Sequence, residues 1–520
     1  MKITTLVRLA LAGTRTDTLR VLLTGFSAAL AALVLLAAFT VLAIPTPPLD
    51  PENWTANHST HYTFNLLIEP GLRPGLAITL LLFSIPVLAL AGQCARLGAP
   101  ARDRRLAAIR LAGATPGQAV AVAATETGLA SLLGAAAGLG AYLLGRQLLH
   151  RPTADGRLPL PTDVLPAPPV LVAVVLGLPL VAGLAAALLL RRVALTPAGV
   201  VRRVRRTGSP GWWPGLLIAI GLGTFAGLEP ALRWLGERGA SVPGALLALI
   251  LLVGGLVAMI GVVLGTGWIS YTAGRILHRY ARRPATLLAA RRLTDDPWSG
   301  SRVFAALLAC VVFGAGAIAA RAHFVTSNRA DAQRQRMSEI ADGVAPGTYA
   351  WSNPFYLQTI DLIDVAVLVA LVIAAGGLVV MLAEQIVSRR WTYASLVATG
   401  VPRGVIGRAI LWQAVTPMLP AILVALAVGS ALSRGYLGDV QSGGGSTEFC
   451  DADAAVCADP VARQPYLRIV EDPVVWHAVD LAIGRLAVFG AGAFGAVLVT
   501  VAIGLLFLRP STAVEELRVA

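Results

Sequence analysis

The sequence predicts an all-α integral membrane protein with about ten transmembrane helices, arranged as two parallel four-helix repeats and a central two-helix hairpin. Of its 520 residues, 56% are hydrophobic and 13% are charged, and the mean hydropathy is +0.73. An ordinary soluble domain has roughly 25% charged residues. Ten apolar stretches come close to the roughly 20 residues that a helix needs to cross the hydrocarbon. Three sequence features also recur in the same order in both halves.

Each predicted span is an apolar run that ends at charged or turn-forming residues. The fifth is the shortest, because Glu229 and Arg233 lie at its far end. The spans cover approximately residues 21–45, 75–97, 118–145, 168–190, 213–231, 243–270, 302–321, 361–387, 405–431 and 481–507.

Basic residues lie mainly on one side of the predicted membrane. If both termini are cytoplasmic, 28 of the 42 Lys and Arg residues fall on the inner side, and 20 of the 28 Asp and Glu residues fall on the outer side. This is the positive-inside pattern, and it predicts a multi-pass protein with both termini in the cytoplasm. It also explains the net charge of +14 without nucleic-acid binding, because no basic stripe interleaved with aromatic residues is present.

Three paired segments indicate an internal repeat. The first pair, 6–21 with 287–303, precedes the first span of each half and has the basic, part-apolar composition of a helix at the membrane interface. The second pair, 102–118 with 389–405, lies between two spans. The third pair, 194–203 with 507–518, follows the last span of each half. They predict a first four-span repeat, a two-span hairpin linker and a second four-span repeat, covering residues 1–206, 207–284 and 285–520.

The middle pair is the most informative. In "RLAAIRLAGATPGQ" (105–118), Leu106, Ile109 and Leu111 form the apolar side of a short helix, which Gly113 ends. In the copy, Gly400 takes the place of Gly113. The pattern predicts a short rigid helix joined to two spans, and two interpretations are open. The helix either rests on the bilayer or receives force from a partner.

Arginines, an alanine-rich helical stretch, "LAGAT" and a long span of small residues follow one another here. This order resembles the FtsX-like permease family, the membrane subunits of MacB-type ABC transporters. The resemblance is clearest over 75–200 and weaker over 361–515, so it covers both repeats but not the hairpin. It implies a permease subunit in the bacterial plasma membrane that binds a cytoplasmic ABC ATPase dimer. This chain would then bind no cofactor, with ATP and Mg held by the ATPase.

In that family, the segment corresponding to the middle pair is a coupling helix that docks on the ATPase. The second copy departs from the family pattern at Trp391, Tyr393 and the Val401-Pro402 pair, which affects its helix length and its grip on the partner. The resemblance implies the docking residues Arg104, Arg105, Leu111, Gly113, Ala114 and Thr115 in the first copy, and Arg389, Arg390, Ala398 and Gly400 in the second.

The family also suggests what the movement achieves. Export or extraction of an amphipathic compound, such as an antimicrobial peptide or a lipid, is one expectation. The alternative is a signal transmitted to an extracytoplasmic partner protein, as in relatives that control cell-wall hydrolases. The ten-span layout is similar to permeases of the bacitracin-resistance type. However, only about 40 residues separate spans seven and eight, too few for the independently folded outer domain of those proteins.

The sequence predicts no catalytic residue. A P-loop requires a lysine that reaches the phosphates, and the only lysine is Lys2. The chain is therefore expected to be a membrane subunit without its own ATPase site. A metal site is not expected either, because His58-x-x-His61 is the only arrangement near metal-ligand spacing.

Two polar residues fall inside predicted spans, Glu126 in the third and Gln413 at the equivalent place in the ninth. A carboxylate in hydrocarbon is costly, so Glu126 is expected to face the bundle or to be protonated. It is either one partner of an interhelical hydrogen bond or a proton carrier, and the latter would make the chain a proton-coupled secondary transporter.

Two cysteines, Cys450 and Cys457, lie close together in the last outer loop. An oxidising compartment permits a bridge between them. The sequence leaves two possibilities open, a local disulfide and two free thiols.

Overall fold

The computed structural model is a helical multi-span membrane protein, which confirms the predicted fold class. Within the residues that it describes, nine helices are long and apolar enough to cross a membrane. The second predicted span, 75–97, coincides with a further helix of 22 residues, part of whose side chains lie outside the described set. The described residues are 15–45, 61–68, 72–94, 107–194, 211–239, 242–341, 344–345, 347, 355–444, 446–450, 457, 461, 463–471 and 473–506.

The first half contains four long helices and one short outer helix. The helices are α1 (Arg15–Leu42), α2 (Asn65–Ile68), α3 (Arg73–Cys94), α4 (Pro116–Leu149) and α5 (Pro168–Ala194).

The rest of the chain adds the hairpin, the second half and a small outer β-structure. The hairpin is α6 (Trp213–Gly236) and α7 (Gly244–Tyr280). The helices of the second half are α8 (Pro284–Asp295), α9 (Trp298–Ala341), α10 (Phe355–Ser388), α11 (Arg390–Ala398), α12 (Arg403–Leu437) and α13 (Ile483–Leu506). Strands β1 (Val440–Ser442), β2 (Ser446–Cys450), β3 (Leu467–Glu471) and β4 (Val475–His477) lie in the loop before α13, with a 3-10 turn at Gln464–Tyr466.

Several helices run well past the predicted spans. α9 has 44 residues, which at 1.5 Å per residue is about 66 Å, whereas the hydrocarbon is about 30 Å thick. The helix therefore extends well beyond the predicted span 302–321 at its C-terminal end. Beyond the apolar stretch, the helix continues through polar and charged residues such as "SNRADAQRQR", which favour water over hydrocarbon. Much of the segment expected to be a loop between spans seven and eight is thus an outward extension of α9.

Four helix pairs recur in the two halves, and the second half adds a contact between α10 and α13. In the first half, α1 packs against α3, α4 and α5, and α4 packs against α5. In the second half, α9 packs against α10, α12 and α13, and α12 packs against α13. Each helix in the first set has its counterpart at the same place in the order of spans. The repeat inferred from sequence segments is therefore accompanied by equivalent helix pairs.

Small residues allow the central helix pair of each half to approach closely. In the first half, an added Cβ at Gly134 of α4 would lie 2.0 Å from the carbonyl oxygen of Gly25 in α1. In the second half, an added Cβ at Gly429 of α12 would lie 2.1 Å from the carbonyl oxygen of Val312 in α9. Because apolar burial contributes little to helix association in lipid, such backbone contact is a main source of packing energy.

The hairpin belongs with the second half in its packing. Both α6 and α7 contact α12, and α7 also contacts α8 and α9. Within the described residues, the main contact between the two halves is made by α3 and α10. The hairpin thus adds two helices to the second bundle.

Each half has an outer closure that the sequence did not predict. In the first half, the Tyr62 hydroxyl donates to Asp163 at 3.0 Å, and Tyr62 forms a β-bridge with Leu158. Burial, followed by the Asp163 carboxylate, raises the pKa of Tyr62 above its ordinary range. In the second half, β1 pairs with β4 and β2 with β3, both antiparallel. The pairing residues are far apart in the sequence and carry no hairpin signal.

We expect Gly134→Ala and Gly140→Ala to change stability in opposite directions. At Gly134 the new methyl group meets backbone, so the free energy of unfolding falls by about 1–3 kcal/mol. At Gly140 an added Cβ meets nothing within 4 Å, and alanine is favoured over glycine in a helix by about 0.5–1 kcal/mol. Thermal unfolding of the two variants in the same detergent measures the difference. Equal stability would show that α1 and α4 are not held at this distance.

Candidate functional site

The two predicted coupling segments occupy equivalent places, directly before α4 and α12. The first is helical over 107–111, and the second is α11. Each is followed by a glycine with positive φ, +97° at Gly113 and +93° at Gly400. Only glycine adopts this conformation without a steric penalty, so both helices end at the predicted residue.

The backbone closes both helix ends in the same way. In the first segment, Gly113 N–H donates to the Arg110 carbonyl at 3.0 Å and Ala114 N–H to Ile109 at 3.2 Å. In the second, Gly400 N–H donates to Val397 at 2.9 Å, and Val401 N–H donates to Leu396 at 3.0 Å. This pair of bonds is the Schellman motif, which satisfies the last carbonyls of a helix and fixes the direction of the chain.

Two residues separate each glycine from the span that follows it. Thr115 caps α4 through a capping box, in which its hydroxyl accepts from Gln118 N–H and the Gln118 side chain accepts from Thr115 N–H. Pro402 is the residue before α12 and makes no side-chain cap. Because no residue in either link is free to rotate far, each short helix is joined stiffly to the span that follows it.

Most of the described docking residues face outward. Leu111 is 90% exposed, the highest value among the large apolar side chains of the described residues. Gly113, Thr115, Arg389, Ala398 and Gly400 are exposed, and Ala114 is half-buried. Arg104 and Arg105 lie outside the described residues. Arg390 is the first residue of α11, and its side chain also lies outside them.

The second segment is anchored to an interfacial helix. Tyr393 of α11 is 3% exposed. The Arg292 guanidinium of α8 donates to the Tyr393 hydroxyl at 2.8 Å, and its central carbon lies 5.0 Å from the centre of the Tyr393 ring. This combines a hydrogen bond with a cation–π contact. Tyr393, which departs from the family pattern, thus fixes α11 to α8.

An apolar cluster joins the same segment to two spans. Tyr393 packs with Ile386 of α10 and with Ile406 and Ile410 of α12, and Leu396 and Val401 pack against this cluster. A displacement of α11 therefore acts on α10 and α12 together. In the first segment, Ile109 and Ala114 are half-buried at the positions that correspond to Leu396 and Val401.

The intramembrane polar residues lie at equal distances from their helix starts. Glu126 follows the cap Thr115 by eleven positions, and Gln413 follows Pro402 by eleven. Glu126 is 6% exposed and makes a polar interaction within the protein. Gln413 is half-buried and lines a pocket beside α11. The structure therefore places Glu126 inside the bundle.

The remaining predicted residues lie on the other side of the membrane. Cys450 and Cys457 form a disulfide, one of the two possibilities that the sequence left open. His61 lies 3.5 Å from Asp163, and His58 is outside the described residues. In the part of the chain that the structure describes, no group of three His, Cys, Asp or Glu side chains is arranged to hold a metal.

Comparison with protein families identifies both copies of the segment. The model of the FtsX-like permease C-terminal domain matches residues 94–197 and 365–449. The first match includes the short helix over 107–111, α4 and α5. The second includes most of α10 together with α11 and α12. No curated protein matches the chain.

Sequence reasoning missed the contact between Arg292 and Tyr393. A signal was present in α8, where Ala285, Ala289 and Leu293 are buried at helical spacing. Their spacing marks a packed face, yet the sequence gives no partner for Arg292 beside that face. Only the fold brings residues 101 positions apart into contact.

We expect Tyr393→Phe to loosen α11. The variant keeps the ring and loses the hydrogen bond, which is worth about 1 kcal/mol. The amides of residues 390–398 should then exchange with deuterium roughly fivefold faster, as measured by mass spectrometry. Tyr280→Phe is the matched control, because Tyr280 is 72% exposed at the end of α7. Unchanged exchange in Tyr393→Phe would contradict the anchoring role.

Proposed function

Because the chain belongs to the FtsX-like permease family, we propose that it is the membrane subunit of an ABC transporter. In this proposal, a separate cytoplasmic ATPase hydrolyses ATP and moves two four-span bundles through the two coupling segments. The observation that carries the proposal is the shared construction of the segments. Each is a short helix closed by a Schellman glycine, with two residues between that glycine and the next span.

This construction suits the transfer of force. A flexible loop would absorb a displacement, whereas a closed helix end keeps its direction relative to the next span. The second segment also contacts α10, α12 and α8, so several helices would follow its movement. The exposed Leu111 offers the first segment an apolar contact for a partner.

The presence of two coupling segments supports a stoichiometry of one permease chain to two ATPase protomers. One chain carries two coupling segments, so a single chain can engage both protomers of an ATPase dimer. ATP and Mg would be bound by that dimer, since this chain has no P-loop lysine. The inner position of the segments agrees with the basic residues, which favour cytoplasmic termini in a bacterial plasma membrane.

We favour an amphipathic compound, such as an antimicrobial peptide or a lipid, as the substrate that is exported or extracted. The support is the architecture: two tightly packed bundles meet mainly at α3 and α10 in the described residues. Relative movement of the bundles would therefore open or close that lateral boundary, where an amphipath in the membrane can enter. The MacB-type assignment belongs to this proposal.

Signal transmission is a second candidate function, and one feature favours it. The outward extension of α9 contacts the last outer loop, where Ala330 packs with Val440 and Val479. A movement of α9 would therefore reach the outer β-structure directly. An extracytoplasmic partner protein, such as a hydrolase, could bind there.

Proton-coupled transport has less support. Glu126 is a single buried carboxylate with an interaction inside the protein. At the outer end of α10, Asp364 accepts from Arg321 at 2.9 Å, and Asp361 also pairs with Arg321. These two carboxylates have a structural role. A proton path needs several exchangeable groups in sequence.

The docking proposal is tested by measuring how ABC ATPases from the same genome bind to the full chain in detergent. Charge reversal at Arg104 and Arg105 together with Arg389 and Arg390 should weaken binding by at least about tenfold, or ~1.4 kcal/mol. Leu111→Asp alone should weaken it by a smaller factor, because it alters one of the two sites.

Charge reversal at Arg275, Arg279, Arg282 and Arg283 is the charge-matched control, since all four residues are exposed on the same predicted side but lie outside the segments. This control should bind the ATPase as the wild type does. If the variant reversed in both coupling segments also bound unchanged, the docking proposal would be wrong. Reconstituted vesicles that transport on a proton gradient without ATP, and lose this with Glu126→Gln, would favour the secondary transporter instead.

A further inference from the structure

A small pocket of about 40 Å³ lies beside the second coupling segment. Residues of α8, α9, α10, α11 and α12 line it, together with Arg389 just before α11. The polar residues that line it are Arg292, Gln385, Arg389, Tyr393 and Gln413.

The pocket is positively charged. Arg292 and Arg389 both line it, and none of the described residues in its lining is acidic. Arg292 is held in place, because its guanidinium bonds to the Tyr393 hydroxyl and lies over the Tyr393 ring. That bond uses one of the five N–H donors of the group. A fixed arginine with further donors is preorganised for an anion, and phosphate is the anion whose geometry matches the guanidinium fork.

The pocket also has an apolar wall. Phe304 of α9, Leu382 of α10 and Ile410 of α12 line it together with the polar residues. Arg389 is exposed at its mouth, just before α11. Gln413 lies eleven residues into α12 from Pro402, about 16 Å along the helix axis. The lining thus changes from charged at the helix ends to amide and apolar farther into the bundle.

We propose that this pocket binds the phosphate headgroup of an anionic phospholipid from the inner leaflet. At about 40 Å³ the pocket has room for a phosphate group but not for the rest of a lipid. The two arginines would hold the phosphate, and the glycerol and acyl chains would lie outside the pocket in the membrane. A soluble phosphate shares the first of these interactions only. Basic pockets between helices on the cytoplasmic side are typical sites for anionic headgroups.

The bound lipid would connect two mobile parts. Arg292 belongs to the interfacial helix α8, and Arg389 precedes the coupling helix α11. A phosphate between them would neutralise two like charges and tie α8 to the start of α11. Membrane composition would then set how firmly the second coupling segment is held. Lipid binding itself does not rest on the proposed ATPase partner, so it is testable on the permease alone.

The experiment is native mass spectrometry of the full chain in detergent, titrated with phosphatidylglycerol or with phosphatidylcholine of the same acyl chains. We expect one tightly bound phosphatidylglycerol per chain, with phosphatidylcholine bound at least about tenfold more weakly. Arg389→Gln should remove this preference, and Arg389→Lys should restore part of it. Tyr393→Phe, which releases Arg292 but keeps its charge, should weaken binding by a few-fold.

Arg291→Gln is the matched control, because Arg291 is the exposed neighbour of Arg292 on α8 and does not line the pocket. It should bind phosphatidylglycerol as the wild type does. Equal binding of both lipids, or equal loss in Arg291→Gln and Arg389→Gln, would overturn the proposal. Displacement of the lipid by millimolar inorganic phosphate would assign the site to a soluble phosphate and overturn the lipid assignment. Failure of ATPase docking would leave all these outcomes unchanged.

Discussion

The structure depends first on the backbone. Within hydrocarbon, each peptide N–H and C=O must find its partner inside the protein, because no water is available. Within the described residues, ten long helices bond most of these groups internally, and prolines such as Pro179 and Pro417 each remove one such bond. Burial of apolar side chains adds little to their association in lipid. Close backbone approach at Gly134 and Gly429 therefore has to supply much of the packing within each bundle.

The same condition explains where the coupling segments are. A helix that ends near the membrane leaves carbonyl groups without partners. At Gly113 and Gly400 the chain satisfies these groups with its own N–H groups and turns at once into the next span. A short link of this kind is stiff as a result of backbone bonding. The proposed docking segments thus lie where a helix end satisfies its last carbonyl groups with N–H groups of the same chain.

Sequence reasoning reached the helical class and the glycines that end both short helices, and its two-repeat division stays a prediction. These depend on local signals, namely apolar length, composition and the need for positive φ at Gly113 and Gly400. It did not reach the length of α9, the outer β-strands or the contact between Arg292 and Tyr393. The strands and the Arg292–Tyr393 contact join residues that are distant in the sequence. The polar end of α9 continues into water, and hydropathy does not indicate where a helix ends there.

The two coupling segments share a backbone but differ in what they present. The first exposes Leu111, whereas the corresponding residue in the second is Ala398. The second is instead fixed on its buried side, because Tyr393 packs against α10 and α12 and its hydroxyl accepts a hydrogen bond from α8. The hairpin adds two further helices, α6 and α7, that pack against this half. Among the described residues, this anchor is seen at the second segment. In the proposed function, a force on both segments would then act on differently held bundles, and relative movement would result at α3 and α10, where the halves touch.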